Sequence, residues 1–209
     1  MGMDSNDIPQ RLTDRKRAAI VNAAVEEFIA SGYDATSMDR IAARAGVSKR
    51  TVYNHFENKE ALFAAILHRL WDASEMADAP AYSADEPLRA QLIALLARKL
   101  RLMNDEAFLS LARVAIAAGI HSPERARDMV ARLGEREEDL TVWIRKAAAD
   151  DRLSVADPVF AGQQLHGIVK GFAFWPQVTM GQPTLTKNEQ KKVAEAAADM
   201  FLARYARAE

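Results

Sequence analysis

Residues 37–60 read SMDRIAARAGVSKRTVYNHFENKE and contain two short helical patterns separated by Gly46. Thr36 or Ser37 can cap the first helix, with Asp39 three residues after Thr36 as in a capping box, and Ser48 can cap the second. Serine and threonine are preferred N-terminal caps because the hydroxyl accepts a hydrogen bond from a free backbone N–H. A tight turn between two crossed helices favours glycine at its first position. We therefore predict a helix-turn-helix motif centred on residues 37–56.

The side chains of this motif separate into an inner and an outer set. The inner set is apolar and would pack the two helices together: Ile41, Ala42, Ala45, Val47, Val52 and Phe56. The outer set combines two cations with hydrogen-bonding groups and contains no carboxylate: Lys49, Arg50, Thr51, Tyr53, Asn54 and His55. Such a surface suits phosphates and base edges in the major groove of DNA. A solvated helix face carries similar residues, and spacing alone does not separate the two interpretations.

The rest of the chain also carries helical signals. Segment 12–31 has apolar residues every three or four positions, and Gly32 is placed to end that helix. Cap residues followed by proline mark further helix starts at Ser122-Pro123 and Asp157-Pro158, and residues 186–189 form a capping-box pattern. No alternation with a period of two residues indicates a strand. We predict an all-α fold of about nine helices.

Composition excludes several classes of protein. The 209 residues contain no cysteine, which excludes disulfides and cysteine metal ligands, and the net charge of −1 argues against a protein that coats nucleic acid indiscriminately. No apolar run is long enough for a membrane span, and residues 1–12 have no hydrophobic signal core. We therefore expect a cytoplasmic protein without a membrane partner.

An enzyme is not expected from this sequence. It has no Gly-x-Ser-x-Gly, no phosphate-binding glycine loop and no His-Glu-x-x-His, and its four histidines are scattered along the chain. We predict no catalytic residues, no metal site and no cofactor.

The segment from Arg15 to about Leu67 closely resembles the N-terminal domain of TetR/AcrR-type transcription regulators. Four separate elements occur in order with the gaps typical of that family. A weaker similarity to an AcrR-like subgroup lies in Gly171-Phe-x-Phe-Trp-Pro176. The four elements are Ile-x-x-Ala-Ala-x-x-x-Phe (20–28), Gly-Tyr-x-x-Thr-Ser (32–37), Ile-Ala-x-x-Ala-Gly-Val-Ser (41–48) and Tyr-x-x-Phe-x-x-Lys-Glu (53–60).

The resemblance implies a division of the chain and a function. It implies a flexible arm (1–11), a three-helix DNA-binding domain (12–58), and a helical domain for effector binding and dimerisation (59–209). The expected protein is a homodimeric repressor that a small apolar or amphipathic effector releases from a palindromic, double-stranded operator. Tyr53 and Lys59 would bind phosphates. The expected DNA-binding residues are Thr36, Ser37, Ser48, Lys49, Arg50, Thr51, Tyr53, Asn54, His55 and Lys59.

The resemblance also points to effector and dimer residues in the C-terminal region. Aromatic and thioether side chains line apolar pockets well, although the same residues fill ordinary cores. The candidate effector residues are Trp71, Met103, Phe108, His121, Met129, Trp143, His166, Phe172 and Trp175. The last two helices would form the dimer interface, unless they only complete the core of the protomer. The candidate interface residues are Gly167, Gly171, Val193, Ala197, Met200 and Phe201.

A second function remains open at this point. The same DNA-binding domain would serve an architectural factor, or a factor that a protein partner controls, with no small-molecule ligand.

Overall fold

The computed structural model describes residues 7–75, 82–124, 126–128 and 139–207, without the side chains of residues 7–12, 69–75 and 121. Ten helices have both ends within these ranges, residues 123–124 and 126–128 are helical as well, and the only extended pairing there is a single bridge between Leu153 and Ala206. The predicted all-α fold is confirmed. The helices are α1 (Asp7–Ala35), α2 (Met38–Arg44), α3 (Lys49–His55), α4 (Lys59–Glu75), α5 (Leu88–Met103), α6 (Glu106–His121), α7 (Asp139–Ala149), α8 (Pro158–Ala173), α9 (Trp175–Thr179) and α10 (Lys187–Tyr205).

The first helix differs from the prediction at its start. It begins at Asp7, so residues 7–11 of the expected flexible arm are helical, and residues 1–6 lie outside the described ranges. Pro9 does not prevent this start, because a proline in the first turn of a helix lacks only a backbone N–H that would have no helical partner there. Gly32 interrupts the helix, as its position predicts, with φ 76° and ψ 175°. This conformation is almost restricted to glycine.

The predicted helix-turn-helix is present in α2 and α3. The Ser37 hydroxyl accepts a hydrogen bond from the backbone N–H of Arg40, and the Ser48 hydroxyl accepts one from that of Thr51. Gly46 has a φ of 66° in the turn between the two helices, a left-handed conformation that costs a side-chain-bearing residue free energy. The inner residues Ile41 and Val52 are fully buried, as the apolar pattern predicts.

The chain divides into two compact units, Met1–Arg69 with Ser110–Leu133, and Leu70–Leu109 with Gly134–Glu209. The first unit therefore continues past the expected boundary at residue 58. In its core, the Phe28 ring contacts the Phe63 ring edge-on, with centroids 4.9 Å apart. Because Phe63 belongs to α4, this helix completes the core of the first unit.

The second unit is built around α8 and α10. Helix α8 packs against α5, α7, α9 and α10, and α10 also packs against α5. Helices α7 and α8 approach so closely that a Cβ added at Gly162 would lie 2.8 Å from the hydroxyl oxygen of Thr141. The expected capping box starts α10, and the hydrogen bonds from Thr186 lower the pKa of the Glu189 carboxyl. None of the described helices combines the length and the apolar composition that a membrane span requires.

Candidate nucleic-acid interface

The exposed side of α3 is polar, and its inner residue Val52 is fully buried. Lys49, Arg50, Tyr53 and Asn54 are exposed, with the Tyr53 side chain 45% accessible, whereas Thr51 and His55 are half-buried. The helix contains no carboxylate. This arrangement leaves hydrogen-bond donors of both charged and neutral kinds available to an anionic ligand.

The two cations at the start of α3 have different surroundings. The Lys49 ammonium lies 2.8 Å from Oδ1 of Asp39 on α2, and this hydrogen-bonded carboxylate raises the pKa of Lys49. Within the described ranges, Arg50 makes no ion pair. Only one of the two adjacent positive charges is therefore compensated.

The hydroxyls of Ser37 and Ser48 act first as helix caps. Each accepts a backbone N–H, and the Ser48 oxygen also lies 2.8 Å from the hydroxyl oxygen of Thr51. A hydroxyl that accepts one hydrogen bond still has a proton to donate. Ser37 and Ser48 are exposed and remain compatible with phosphate contacts.

The expected DNA contact by Thr36 does not fit the structure. Thr36 is only 2% exposed, and its hydroxyl lies 2.7 Å from the carbonyl oxygen of Gly32 and 3.1 Å from that of Glu27. The hydroxyl therefore satisfies carbonyls at the end of α1. Ser37, the next residue, is the exposed member of the pair.

Lys59 does not have the surroundings expected of a phosphate-binding residue. Its ammonium donates to the carbonyl oxygens of Tyr33 at 2.7 Å and Thr36 at 2.9 Å, and it lies 4.4 Å from the centroid of the Tyr33 ring. A longer contact of 3.5 Å reaches the carbonyl of Asp34. Lys59 thus connects the start of α4 to the last turn of α1 and to Thr36 between α1 and α2, which the sequence motif does not reveal.

A buried carboxylate, missed by the sequence analysis, holds α2 against α1. Glu27 is 4% exposed, and its two oxygens lie 2.7 Å from Nε of Arg44 and 3.0 Å from Nη2 of Arg40. The hydrogen bond to Glu27, followed by that to Glu26, raises the pKa of Arg44. The sequence did contain a signal for this buried carboxylate, because Glu27 lies seven residues after Ile20 on the apolar face of α1, where a charged residue is unusual.

One further cation, Arg17, lies beside the C-terminal end of α3. The guanidinium of Arg17 is 5.1 Å from the centroid of the Phe56 ring, at the C-terminal end of α3. Arg17 is exposed and was not singled out by the sequence motif.

The candidate effector residues are not brought together as one group. Met103, Trp143 and His166 are buried, and Nε1 of Trp143 donates to Oε1 of the buried Gln91 at 3.2 Å. Phe108 is half-buried, with its ring centroid 6.2 Å from that of Phe174. Three other candidates, Trp71, His121 and Met129, lie outside the described side chains.

Two effector candidates lie on the surface. Phe172 is 56% and Trp175 45% exposed, so neither lines an interior site of its own protomer, contrary to expectation. Both lie in the apolar segment 171–176, whose sequence does not reveal which side chains the neighbouring helices cover. Trp143 is also better explained as a packed core residue, since its ring contacts Tyr82 edge-on and its N–H is bonded.

The candidate dimer residues divide into exposed and buried sets. Gly167, Gly171 and Met200 are exposed, and Val193 is half-buried. The remaining candidates, Ala197 and Phe201, are 1% and 4% exposed and belong to the core of their own unit. For these two residues this corrects the expected interface, because they are buried where α10 packs against α5 and α8 of the same unit.

Within the described ranges, no three histidine, aspartate or glutamate residues are grouped as they would be around a metal ion.

Comparisons with known proteins identify both parts of the chain. Residues 20–66 match the family model of bacterial regulatory proteins of the tetR family, and residues 90–207 match that of the C-terminal domain of AefR-like transcriptional repressors. A TetR family transcriptional regulator from Pseudomonas syringae is 50% identical, with a TM-score of 0.79 over 93% of this chain and 98% of that one.

Two further relatives differ in how much of the chain they match. The flavonoid-responsive regulator FrrA is 28% identical, with a TM-score of 0.75 over 94% of this chain and 100% of its own. The transcriptional activator FasR of Mycolicibacterium smegmatis is 48% identical over 56 residues, which are 27% of this chain and only 26% of FasR.

The family model of the AefR-like C-terminal domain, which matches residues 90–207, alone covers more than half of the chain. This chain therefore belongs to the TetR family of helix-turn-helix, DNA-binding transcription regulators.

Proposed function

We propose that this regulator is a homodimeric repressor that binds a palindromic operator and is released by a small apolar or amphipathic effector. The observation that supports DNA recognition most is the exposed, carboxylate-free surface of α3. Arg50 and Asn54 would reach base edges, and the hydroxyl of Tyr53 would donate to a phosphate. Lys49, Thr51 and His55 would flank these contacts, and the Ser37 and Ser48 hydroxyls would donate to the DNA backbone.

Apolar exposure on the last two long helices supports the dimer. Phe160 and Phe172 on α8, and Met200 on α10, are each more than half exposed. Gly167 and Gly171 leave open space above α8. Burying such faces against a second copy removes apolar surface from water. Two-fold symmetry would then place two copies of α3 in successive major grooves, about 34–36 Å apart.

The sign of regulation is proposed from the C-terminal domain. That domain matches a family described as repressors over residues 90–207. FasR is an activator, but its similarity is confined to a 56-residue segment. A DNA-binding domain by itself does not determine the sign, because the effect depends on where the operator lies relative to the promoter.

The proposed effector class is a planar, amphipathic aromatic compound. FrrA, named as flavonoid-responsive, matches this chain over nearly its whole length. Met103, Phe108 and His166 remain the candidate effector residues in the second unit. Effector binding would favour a spacing of the two α3 helices that no longer fits the operator, which is a shift between two states with different DNA affinities.

DNA recognition is tested with a duplex of about 30 base pairs, long enough for two half-sites, that the purified protein selects from a random pool. Arg50→Ala should weaken binding by about 1–3 kcal/mol, and Tyr53→Phe should weaken binding to all duplexes to a similar degree. Lys146→Ala, which removes an exposed cation from α7, is the matched control and should bind as the unmodified protein does. Unchanged affinity of both the Arg50 and the Tyr53 variant, measured by fluorescence anisotropy, would contradict the assignment.

The effector class is tested by titrating a flavonoid such as quercetin into the protein bound to its selected duplex. A fall in DNA affinity is expected. If quercetin binds the protein and leaves the affinity for DNA unchanged, or does not bind at all, this effector class is wrong.

A further inference from the structure

One acidic residue, Asp39, contacts a cation on the exposed surface of α3. Asp39 lies in the first turn of α2, and Lys49 is the first residue of α3. The Lys49 ammonium lies 2.8 Å from one carboxylate oxygen of Asp39 and 3.0 Å from the other. From this ion pair we infer that Asp39 is a specificity-determining residue, which keeps Lys49 from binding phosphates of DNA that is not the operator. The inference rests on the proposed DNA binding through α3.

The ion pair is exposed and can therefore be exchanged. The side chains of Lys49 and Asp39 are 60% and 62% accessible. Exposed ion pairs contribute only about 0–1 kcal/mol, and a phosphate that replaces the carboxylate as the partner of Lys49 must first offset that amount. Binding of a phosphate by Lys49 therefore gains little free energy while Asp39 is present.

Asp39 acts differently on specific and non-specific DNA for an electrostatic reason. Non-specific binding depends almost entirely on the release of counterions by lysine and arginine, without fixed geometry. A carboxylate within 3 Å of one of these cations removes much of that contribution. On the operator, base contacts fix the register of the protein, and in that register Lys49 keeps its pair with Asp39, so that loss of the carboxylate changes operator affinity little. Asp39 therefore lowers non-specific affinity more than operator affinity.

Arg50 provides an internal comparison. It is exposed beside Lys49 and makes no ion pair within the part of the chain that the structure describes. Arg50 therefore contributes its full charge to either kind of DNA. The effect of Asp39 should depend on Lys49 and be independent of Arg50.

The first test measures Asp39→Asn on the selected duplex and on a scrambled duplex of the same composition. Affinity for the scrambled duplex should rise about three- to tenfold at low salt, while affinity for the selected duplex should change by less than about twofold. For the scrambled duplex, the slope of log K against log salt should become more negative by about 0.9 for each α3 helix that binds. Asp39→Glu should restore the ratio of the two affinities.

A double-mutant cycle identifies the residue through which Asp39 acts. In a Lys49→Met background, Asp39→Asn should no longer raise the affinity for the scrambled duplex. In an Arg50→Met background, the rise should persist in full. Thermal unfolding of Asp39→Asn is recorded in parallel, because aspartate also stabilises the first turn of a helix through the helix dipole.

Glu57→Gln is the matched control for charge. Glu57 is exposed just after α3, and it makes no ion pair with any described residue. If this variant raises non-specific affinity as much as Asp39→Asn does, a general effect of net charge replaces the inference. An equal rise on both duplexes, a weakening on both, or a rise that survives Lys49→Met also overturns it. An unmodified protein without preference for its selected duplex would instead refute the proposed function and the inference with it.

Discussion

The two surfaces proposed to bind partners differ in chemistry and in how the protein supports them. The surface of α3 is polar, and the buried Glu27 and the backbone-bonded Lys59 fix the elements around it. The exposed surface of α8 and α10 is apolar and includes Phe172 and Met200. A polar surface faces water at little cost in free energy, whereas an apolar one gains about 25 cal/mol for each square ångström that is buried. The first suits a reversible contact and the second a lasting one.

Within α8, Gly162 and Gly171 differ in whether the surface around them is packed inside the protomer or open. At Gly162 a Cβ would lie 2.8 Å from the hydroxyl oxygen of Thr141, whereas at Gly171 no atom lies within 4 Å. One glycine permits two helices of the same unit to approach each other. The other leaves room that a second chain would fill.

The largest effect is expected for Gly171→Arg. A buried, unpaired guanidinium at the proposed dimer interface should weaken the dimer by about 3 kcal/mol or more, which is a factor of at least about 100 in the dissociation constant. Sedimentation at micromolar concentration should show the monomer mass, and operator binding should fall with it. Ala94→Arg, on the exposed side of α5, should remain dimeric. A stable Gly171→Arg dimer would place the interface on another surface.

A smaller effect is expected for Lys59→Met. The loss of the hydrogen bonds to Tyr33 and Thr36 should lower the free energy of unfolding of the DNA-binding unit by about 2 kcal/mol, because Lys59 is only partly buried. Lys49→Met is the matched control and should unfold at nearly the temperature of the unmodified protein. If Lys59→Met instead keeps its stability and loses operator affinity with a shallower salt dependence, Lys59 binds a phosphate as the family resemblance implies.

The smallest effect is expected for Gly162→Ala. The added methyl group would contact Thr141 and should lower stability by about 1–2 kcal/mol through overpacking. Gly167→Ala adds the same group where nothing lies within 4 Å, and it should stabilise the protomer slightly, since alanine has a higher helix propensity. Both are measured by thermal unfolding in the Gly171→Arg background, so that dimerisation does not contribute. Equal effects of the two substitutions would contradict the close approach of α7 and α8.

Local signals predicted the elements that depend on local physics. Ser37, Gly46 and Ser48 determine where α2 and α3 begin and turn, because capping and positive φ involve only neighbouring residues. The capping box from Thr186 to Glu189 was predicted for the same reason. The outer set of α3 also followed from periodicity, since the inner residues Val52 and Phe56 are buried.

Long-range contacts explain what local signals missed. The Lys59 ammonium lies within 3.5 Å of carbonyl oxygens 23 to 26 residues earlier in the chain, and the sequence motif gives no indication of these contacts. The exposure of Phe172 and Trp175 depends on which neighbouring helices cover each face of α8 and α9. Ala197 and Phe201 are buried within their own unit, where α10 packs against α5 and α8.

The sequence by itself determined that this protein is helical and that residues 37–56 form a helix-turn-helix, since caps, turns and apolar periodicity act within one or two turns of chain. It also determined the family, because the motif elements occur with fixed gaps. Only the tertiary structure decided which charged residues support the fold, as Glu27 and Lys59 do, and which remain open to a ligand, as Arg50 does. A charge is available to a partner only if no distant part of the chain has already bound it.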